Sequence, residues 1–311
     1  MDKRMTKEEF MSKAVVVLSG AFICCLLWGS AYPCIKIGYR LFCIDASDTA
    51  AQLLFAGVRF FLAGILAVLL GSAIQRKFLV PRFGSLRKIF VLSMLQTVLQ
   101  YLFFYIGLAH TSGVKASIIG AVNVFVAIVV SSLLFRQEKL NSKKIIGCTI
   151  GFFGVVLVNI NGVDFNFSLA GEGAIFLSTL AYAFSSVYLK KYSENEDPVM
   201  LSGYQFMLGG LMLACTGLGL GGGFTVVSAP AIGMLIYLAI VSAVAYSLWG
   251  VLLKYNPVSR VTVYGFMNPI FGVALSATLL GEKNQASGLY SMLALLLVSI
   301  GIYVVNCNTD K

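Results

Sequence analysis

Arg59 is the side chain in this sequence best placed to do chemistry. It lies well inside an apolar run, 50–74. At 1.5 Å of rise per residue it sits roughly 15 Å deep in a bilayer, near the midplane. A guanidinium at that depth costs at least about 2.5–3.5 kcal/mol on insertion scales, which by default marks a functional position. Two roles fit it. Arg59 faces a cavity and pairs with an anionic group such as a substrate carboxylate, or it bonds to backbone carbonyls and a neighbouring helix and locks packing. Gln96 and Gln100 are spaced i, i+4 within the run 87–109 and share a helix face. Turned to lipid their amides would be unsatisfied, so that face turns inward. Asn123 and Asn268 each stand eight residues past a basic residue, Lys115 and Arg260, which puts them about 12 Å from the membrane edge. Such amides suit a cavity lining, and they suit interhelical hydrogen bonding equally. Trp28, Tyr101, Tyr182, Tyr246 and Trp249 are the deepest of the aromatic residues with a polar tip. They could line an aromatic pocket for a small molecule, while Tyr32, Tyr105, Tyr188, Tyr204 and Tyr264 fit interfacial anchoring as well.

The missing chemistry narrows the function. Every Asp and Glu falls in a loop or at the end of an apolar run, and so does the single His, His110. Proton relays of pumps and antiporters use carboxylates inside the membrane. None stands at mid-depth here, so movement down a gradient is favoured over coupling through a buried carboxylate. The seven cysteines, Cys24, Cys25, Cys34, Cys43, Cys148, Cys215 and Cys307, form no CxxC pair and have no His at zinc spacing. They read as small apolar core residues, with neither metal nor cofactor implied. No HExxH, phosphate loop or Ser-His-Asp set occurs. Gly217-Leu218-Gly219-Leu220-Gly221 follows an apolar helix rather than a strand, so a dinucleotide reading fails. A membrane enzyme is therefore disfavoured.

The elements that must position these residues are membrane helices. Of the 311 residues 59% are apolar and 12% are charged, with a mean hydropathy of +0.88; soluble domains carry about 25% charged residues. Apolar runs cover 14–36, 50–74, 87–109, 114–135, 143–162, 171–190, 198–220, 230–253, 259–280 and 286–306. Each is near the length of about 20 residues that a bilayer core requires, and they are too uniformly apolar for barrel strands. The net charge of +10 belongs to helix ends rather than to a nucleic-acid surface, because no soluble basic domain remains. With the N-terminus in the cytoplasm, eighteen of the 23 Lys and Arg fall on the inner side. Only Lys36, Arg40, Lys115 and Lys283 fall outside, which sets both termini inside and the number of spans at ten.

The two halves repeat. Gly57-Val58-Arg59-Phe60-Phe61-Leu62-Ala63-Gly64 matches Gly203-Tyr204-Gln205-Phe206-Met207-Leu208-Gly209-Gly210 at an offset of 146, with Gln205 in the place of Arg59. At an offset of 145, Tyr101 pairs with Tyr246, Lys115 with Arg260 and Asn123 with Asn268. An odd number of spans per half makes the second half inverted, as in many secondary transporters whose substrate site lies where the repeats meet. The expected fold is all-α: ten transmembrane helices as two inverted five-helix repeats, residues 1–162 and 163–311.

Trp28-Gly29-Ser30, the Arg-Phe pair of the second run, and Asn268-Pro269 followed by Leu280-Gly281-Glu282 resemble signatures of the drug/metabolite transporter superfamily, EamA type. The resemblance covers essentially the whole chain as two tandem units. It implies a multi-pass carrier of the plasma (inner) membrane for amino acids or other small metabolites. The first half departs from the pattern: Val124 stands where the second half has Pro269, and Phe135-Arg136-Gln137-Glu138 replaces Leu-Gly-Glu. Proline removes a backbone hydrogen bond and hinges a helix, so the ninth span is expected to break where the fourth does not. Pro33 and Pro269 are the candidate hinges. The expected cavity residues are Trp28, Ser30, Arg59, Gln96, Gln100, Tyr101, Asn123, Tyr182, Gln205, Tyr246, Trp249 and Asn268. The expected function is transport of a small metabolite, as efflux, by alternating access. A channel-like permease and a lipid or nucleotide-sugar carrier are the alternatives. The partners are the substrate and the bilayer, and monomer and homodimer both fit.

Overall fold

A computed structural model describes residues 6–45, 47–111, 113–158, 167–280 and 288–307. The expected boundary at 162/163, Gly281-Glu282 and both extreme termini lie outside the described residues. Among the described residues every regular element is helical. A short capped helix, Lys7–Met11, precedes the long ones. These are α1 (Ala14–Phe42), α2 (Thr49–Gln75), α3 (Leu86–Leu92, Ser93–Leu99 and Gln100–His110) and α4 (Gly113–Ala121, Asn123–Val129 and Val130–Leu134). Next come α5 (Ser142–Val158), α6 (Leu169–Gly173 and Ala174–Ser193) and α7 (Pro198–Gly219). The last are α8 (Ala229–Tyr255), α9 (Val258–Thr262, Val263–Phe266 and Met267–Leu279) and α10 (Gly288–Asn306). Six stretches are long and apolar enough to cross a membrane: α1, α2, Phe83–Leu108, α7, α8 and Val258–Leu279. Ile118–Leu134 and Met292–Asn306 are shorter apolar helices.

Side chains fix the ends. Asp48 accepts from Ala51 N at the start of α2, Asp197 caps α7 with Pro198 in the first turn, and Ser228 caps α8; each satisfies a backbone donor that has no partner inside its helix. α1 runs on to Phe42, past the apolar run ending at residue 36, because Cys43 takes a left-handed conformation (φ 55°) and closes the helix there. Pro33 is buried inside α1, and the helix continues through it.

The expectation that only the ninth span would break is corrected. α9 tightens to a 3-10 turn over Val263–Phe266; Pro269 has no N–H to give the carbonyl of Gly265, four residues back, which lies in that turn. α4 is interrupted as well, at Val122, and widens to a π-turn over Val130–Leu134. No proline sits in α4, so its break rests on packing, which hydropathy does not record.

Two helix pairs form the frame. α2 packs along α7, and α5 along α10. A Cβ placed on Gly57 would lie 2.7 Å from Gly210 O, and one on Gly210 would lie 2.7 Å from Gly57 O. Gly64 and Gly203 make the same close approach, with a Cβ on Gly64 reaching 2.5 Å from Gly203 O. Because Gly57 corresponds to Gly203, and Gly64 to Gly210, one contact is the image of the other. In α5 and α10 a Cβ on Gly147 would lie 2.8 Å from Gly301 O, and one on Gly154 2.9 Å from Ala294 O. These two contacts interchange at an offset of 147. Small residues that let backbones meet are the ordinary means of helix association in lipid. Around the frame, α3, α4 and α6 form one group, and α1, α8 and α9 form the other.

Any side chain at Gly57 or Gly210 must force α2 and α7 apart. Gly210→Ala is expected to destabilise the purified protein by about 1–3 kcal/mol, the usual cost of overpacking. Gly233→Ala, where nothing lies within 4 Å, is expected to be neutral or mildly stabilising. Thermal unfolding in detergent measures both.

Candidate functional site

The frame presents Arg59 from α2 and Gln205 from α7 to the helices on either side. Arg59 is 3% exposed. Its Nε and Nη2 both donate to Ser242 Oγ on α8, at 3.2 and 2.9 Å, and its Cζ lies 4.8 Å from the centroid of the Phe60 ring. Gln205 is fully buried. Its Oε1 accepts from Thr97 Oγ1 at 2.8 Å, and its Nε2 donates to Gln96 Oε1 at 3.1 Å, both on α3. Arg59 corresponds to Gln205 at an offset of 146, and Thr97 to Ser242 at 145. One geometry is thus made twice, with a charge in one copy and an amide in the other. Neither Thr97 nor Ser242 stood out in the sequence, because a hydroxyl barely marks a hydropathy profile; the 145-residue offset that paired Tyr101 with Tyr246 also pairs them.

α3 changes to π geometry over Ser93–Leu99, the stretch that carries Gln96 and Thr97. π geometry occurs mostly as single-turn interruptions of α-helices, frequently at functional sites. Here the wider turn accompanies two side chains of one helix meeting the same amide.

The aromatic residues obey the same relation. Phe60 stacks on Phe206, with centroids 5.1 Å apart and planes at 13°. Tyr101 lies 4.5 Å from Phe60, and Tyr246 lies 4.9 Å from Phe206. The hydroxyls of Tyr101 and Tyr246 are 3.4 Å apart. Trp28 stands edge-on to Tyr246 and to Trp249, at 5.0 Å from each. Tyr182 packs into the same cluster. Five expected lining residues, from α1, α3, α6 and α8, thus form one continuous aromatic body, and Trp28, Tyr101 and Tyr182 are only half-buried.

In this cluster Trp28 Nε1 and Trp249 Nε1 have no protein partner; among the other expected residues Gln96 Nε2, Gln100 Oε1 and Asn268 Oδ1 have none either. Unsatisfied buried groups cost about 1–3 kcal/mol each, so two indole donors left open on an aromatic wall favour a polar guest or water. The remaining expected residues stand apart. Ser30 Oγ bonds to Leu27 O and to Tyr237 OH, at 2.8 Å each, away from the cluster. Asn123 is half-buried and follows the break at Val122. Asn268 follows the 3-10 turn of α9.

The carboxylates are at the ends of the bundle. Glu172 accepts from Thr111 Oγ1 at 2.5 Å and from Ser168 N at 2.6 Å, and pairs with Lys115 at 3.0 Å. Glu138 pairs with Lys144 at 2.7 Å. Among the described residues no carboxylate reaches Arg59, and no group of three or more His, Cys, Asp or Glu is placed to hold a metal. The arrangement offers binding groups and positive charge.

The chain carries two matches to the EamA-like transporter family, over residues 16–160 and 169–307. It belongs to that family, within the drug/metabolite transporter superfamily, and is a multi-pass membrane transporter. It is similar to YvbV of Bacillus subtilis (strain 168), named an uncharacterized transporter, at 26% identity with 90% of this chain and 88% of the relative covered. It is also similar to a protein of Escherichia coli (strain K12) named a probable amino-acid metabolite efflux pump, at 27% identity with 91% and 92% covered. A crystal structure at 14% identity superposes with a TM-score of 0.75 over 96% of this chain and 98% of the other, a likeness of fold.

Ser242→Ala would leave the guanidinium of Arg59 without its described acceptor. A loss of about 1.5–3 kcal/mol in unfolding free energy is expected, the range for hydrogen bonds to charged groups. Ser242→Thr, which retains a hydroxyl, should recover most of it, as read by thermal unfolding.

Proposed function

We propose that this chain is a secondary transporter that exports a small carboxylate-bearing metabolite of amino-acid type across the plasma (inner) membrane by alternating access. The observation that carries the reading is Arg59: a buried cation at the seam, bonded to a neutral hydroxyl, beside an aromatic wall with unpartnered polar atoms. A charge in that setting is strongly stabilised by an anionic partner, and a substrate carboxylate supplies one bidentately. The aromatic rings suit the apolar part of the same molecule. Efflux and amino-acid character draw support from the name of the Escherichia coli relative.

The topology we propose is ten spans in two inverted five-helix repeats, 1–162 and 163–311, with both termini cytoplasmic. The interchangeable glycine contacts of α2 with α7 and of α5 with α10 support it, as do the two tandem family matches and the skewed distribution of Lys and Arg. With no carboxylate at mid-depth, a gradient-driven facilitator is favoured over a proton-coupled antiporter.

Counterflow in proteoliposomes tests the proposal. Vesicles loaded with an unlabelled amino-acid metabolite should transiently accumulate the labelled one, with saturation. Arg59→Gln should lower uptake of the carboxylate at least tenfold and leave its uncharged amide analogue little affected. Flux that rises linearly with concentration and shows no counterflow would point to the channel-like permease. Equal losses for acid and amide would remove Arg59 from carboxylate recognition.

A further inference from the structure

The two ends of the bundle are closed in different ways. At the end where Lys and Arg gather, charged side chains join the group of α3, α4 and α6 to the group of α1, α8 and α9. Glu138, just past α4, accepts from the backbone N of Ser259 at 3.0 Å and from the Ser259 hydroxyl, both at the start of α9. The same carboxylate takes Ser131 Oγ of α4 at 2.6 Å and Lys144 Nζ of α5 at 2.7 Å. Its side chain is 6% exposed. A second rung runs from Lys190 of α6, whose Nζ donates to Leu253 O in the last turn of α8 at 3.0 Å and to Asn256 O just past its end at 2.7 Å. Apolar burial surrounds both rungs: Leu189, Leu252, Leu253, Val258 and Val261 are no more than 1% exposed.

The opposite end has a different pattern. There Glu172 gathers Thr111, Lys115 and Ser168, all belonging to or flanking helices of one group, so it braces that group internally. Among the described residues, the two groups are joined there by the hydroxyl of Tyr39 on α1, which donates to Tyr105 on α3 at 3.2 Å. Above the aromatic cluster on α1, Tyr32 is 46% exposed. The seam is buried and charge-locked at the basic end and joined by a pair of neutral hydroxyls at the other.

We propose that Glu138 and Ser259, with Lys190 as the second rung, are the latch that keeps the transport cavity shut at the basic end. Opening there requires the carboxylate to let go of the first turn of α9. A neutral amide at position 138 still accepts from one donor but forfeits the charge-assisted bonds, which are roughly twice as strong as neutral ones. The role of the latch rests on the alternating-access reading, yet its test needs no substrate, so a failed transport assay and a failed latch are separate results.

Hydrogen exchange followed by mass spectrometry on the purified full chain is the test. In Glu138→Gln and in Ser259→Ala, amides over 252–262 are expected to exchange at least tenfold faster than in the wild type, while those at the start of α6 keep their rates. Thr111→Val, which touches the internal brace at the other end, should leave 252–262 unchanged. Ser259→Ala removes one hydroxyl and serves if Glu138→Gln fails to fold. Wild-type exchange over 252–262 in the variants that fold, or a rise spread evenly along the chain, would overturn the latch.

Discussion

The close approach of α2 and α7 governs the rest of the molecule. In a bilayer, burial of apolar side chains between helices brings little gain, since lipid tails are as apolar as leucine. Association therefore depends on how near two backbones can come. Glycine at 57, 64, 203 and 210 lets these two meet with no room for a Cβ. Everything that concerns the site hangs from that contact: Arg59 and Phe60 follow Gly57 by two and three residues, as Gln205 and Phe206 follow Gly203. The glycine pair thus sets the height and the facing of both polar residues and of the stacked rings.

A nearly symmetric frame then carries an asymmetric charge. Each polar residue of the frame reaches a hydroxyl on the next helix, Ser242 for Arg59 and Thr97 for Gln205. The neutral copy closes on itself through Gln96. The charged copy leaves a guanidinium whose described acceptor is one hydroxyl. A site made of two equal halves would hold a symmetric guest; one cation on one side gives the seam a polarity, and a guest with a carboxylate at one end matches it.

Much of this was legible in the residues, for physical reasons that differ from part to part. The apolar runs and the distribution of Lys and Arg report the bilayer directly, and the family membership follows the two repeats. The pairing of Tyr101 with Tyr246 by offset turned out to be a contact between hydroxyls 3.4 Å apart. Other features left no trace. The break in α4 has no proline to announce it, and the π-turn of α3, whose Gln96 and Thr97 meet Gln205, has no sequence signal of its own. Ser30, attractive near Trp28 in sequence, points to Tyr237 instead, since helical positions two apart face different ways. Ser242, the acceptor for Arg59, leaves no mark on a hydropathy profile.

The central claim, one aromatic-lined site at the seam that opens to one side at a time, is tested most directly by thiol accessibility at Tyr182. With Cys43, Cys215 and Cys307, the exposed thiols, replaced by serine, Tyr182→Cys is labelled by a membrane-impermeant maleimide from each side of oriented vesicles. The account predicts labelling from the side away from the basic end, slowed by saturating substrate, and labelling from the basic end that rises when Ser259 is replaced by alanine. Equal labelling from both sides at once, or labelling that substrate leaves untouched, would contradict it.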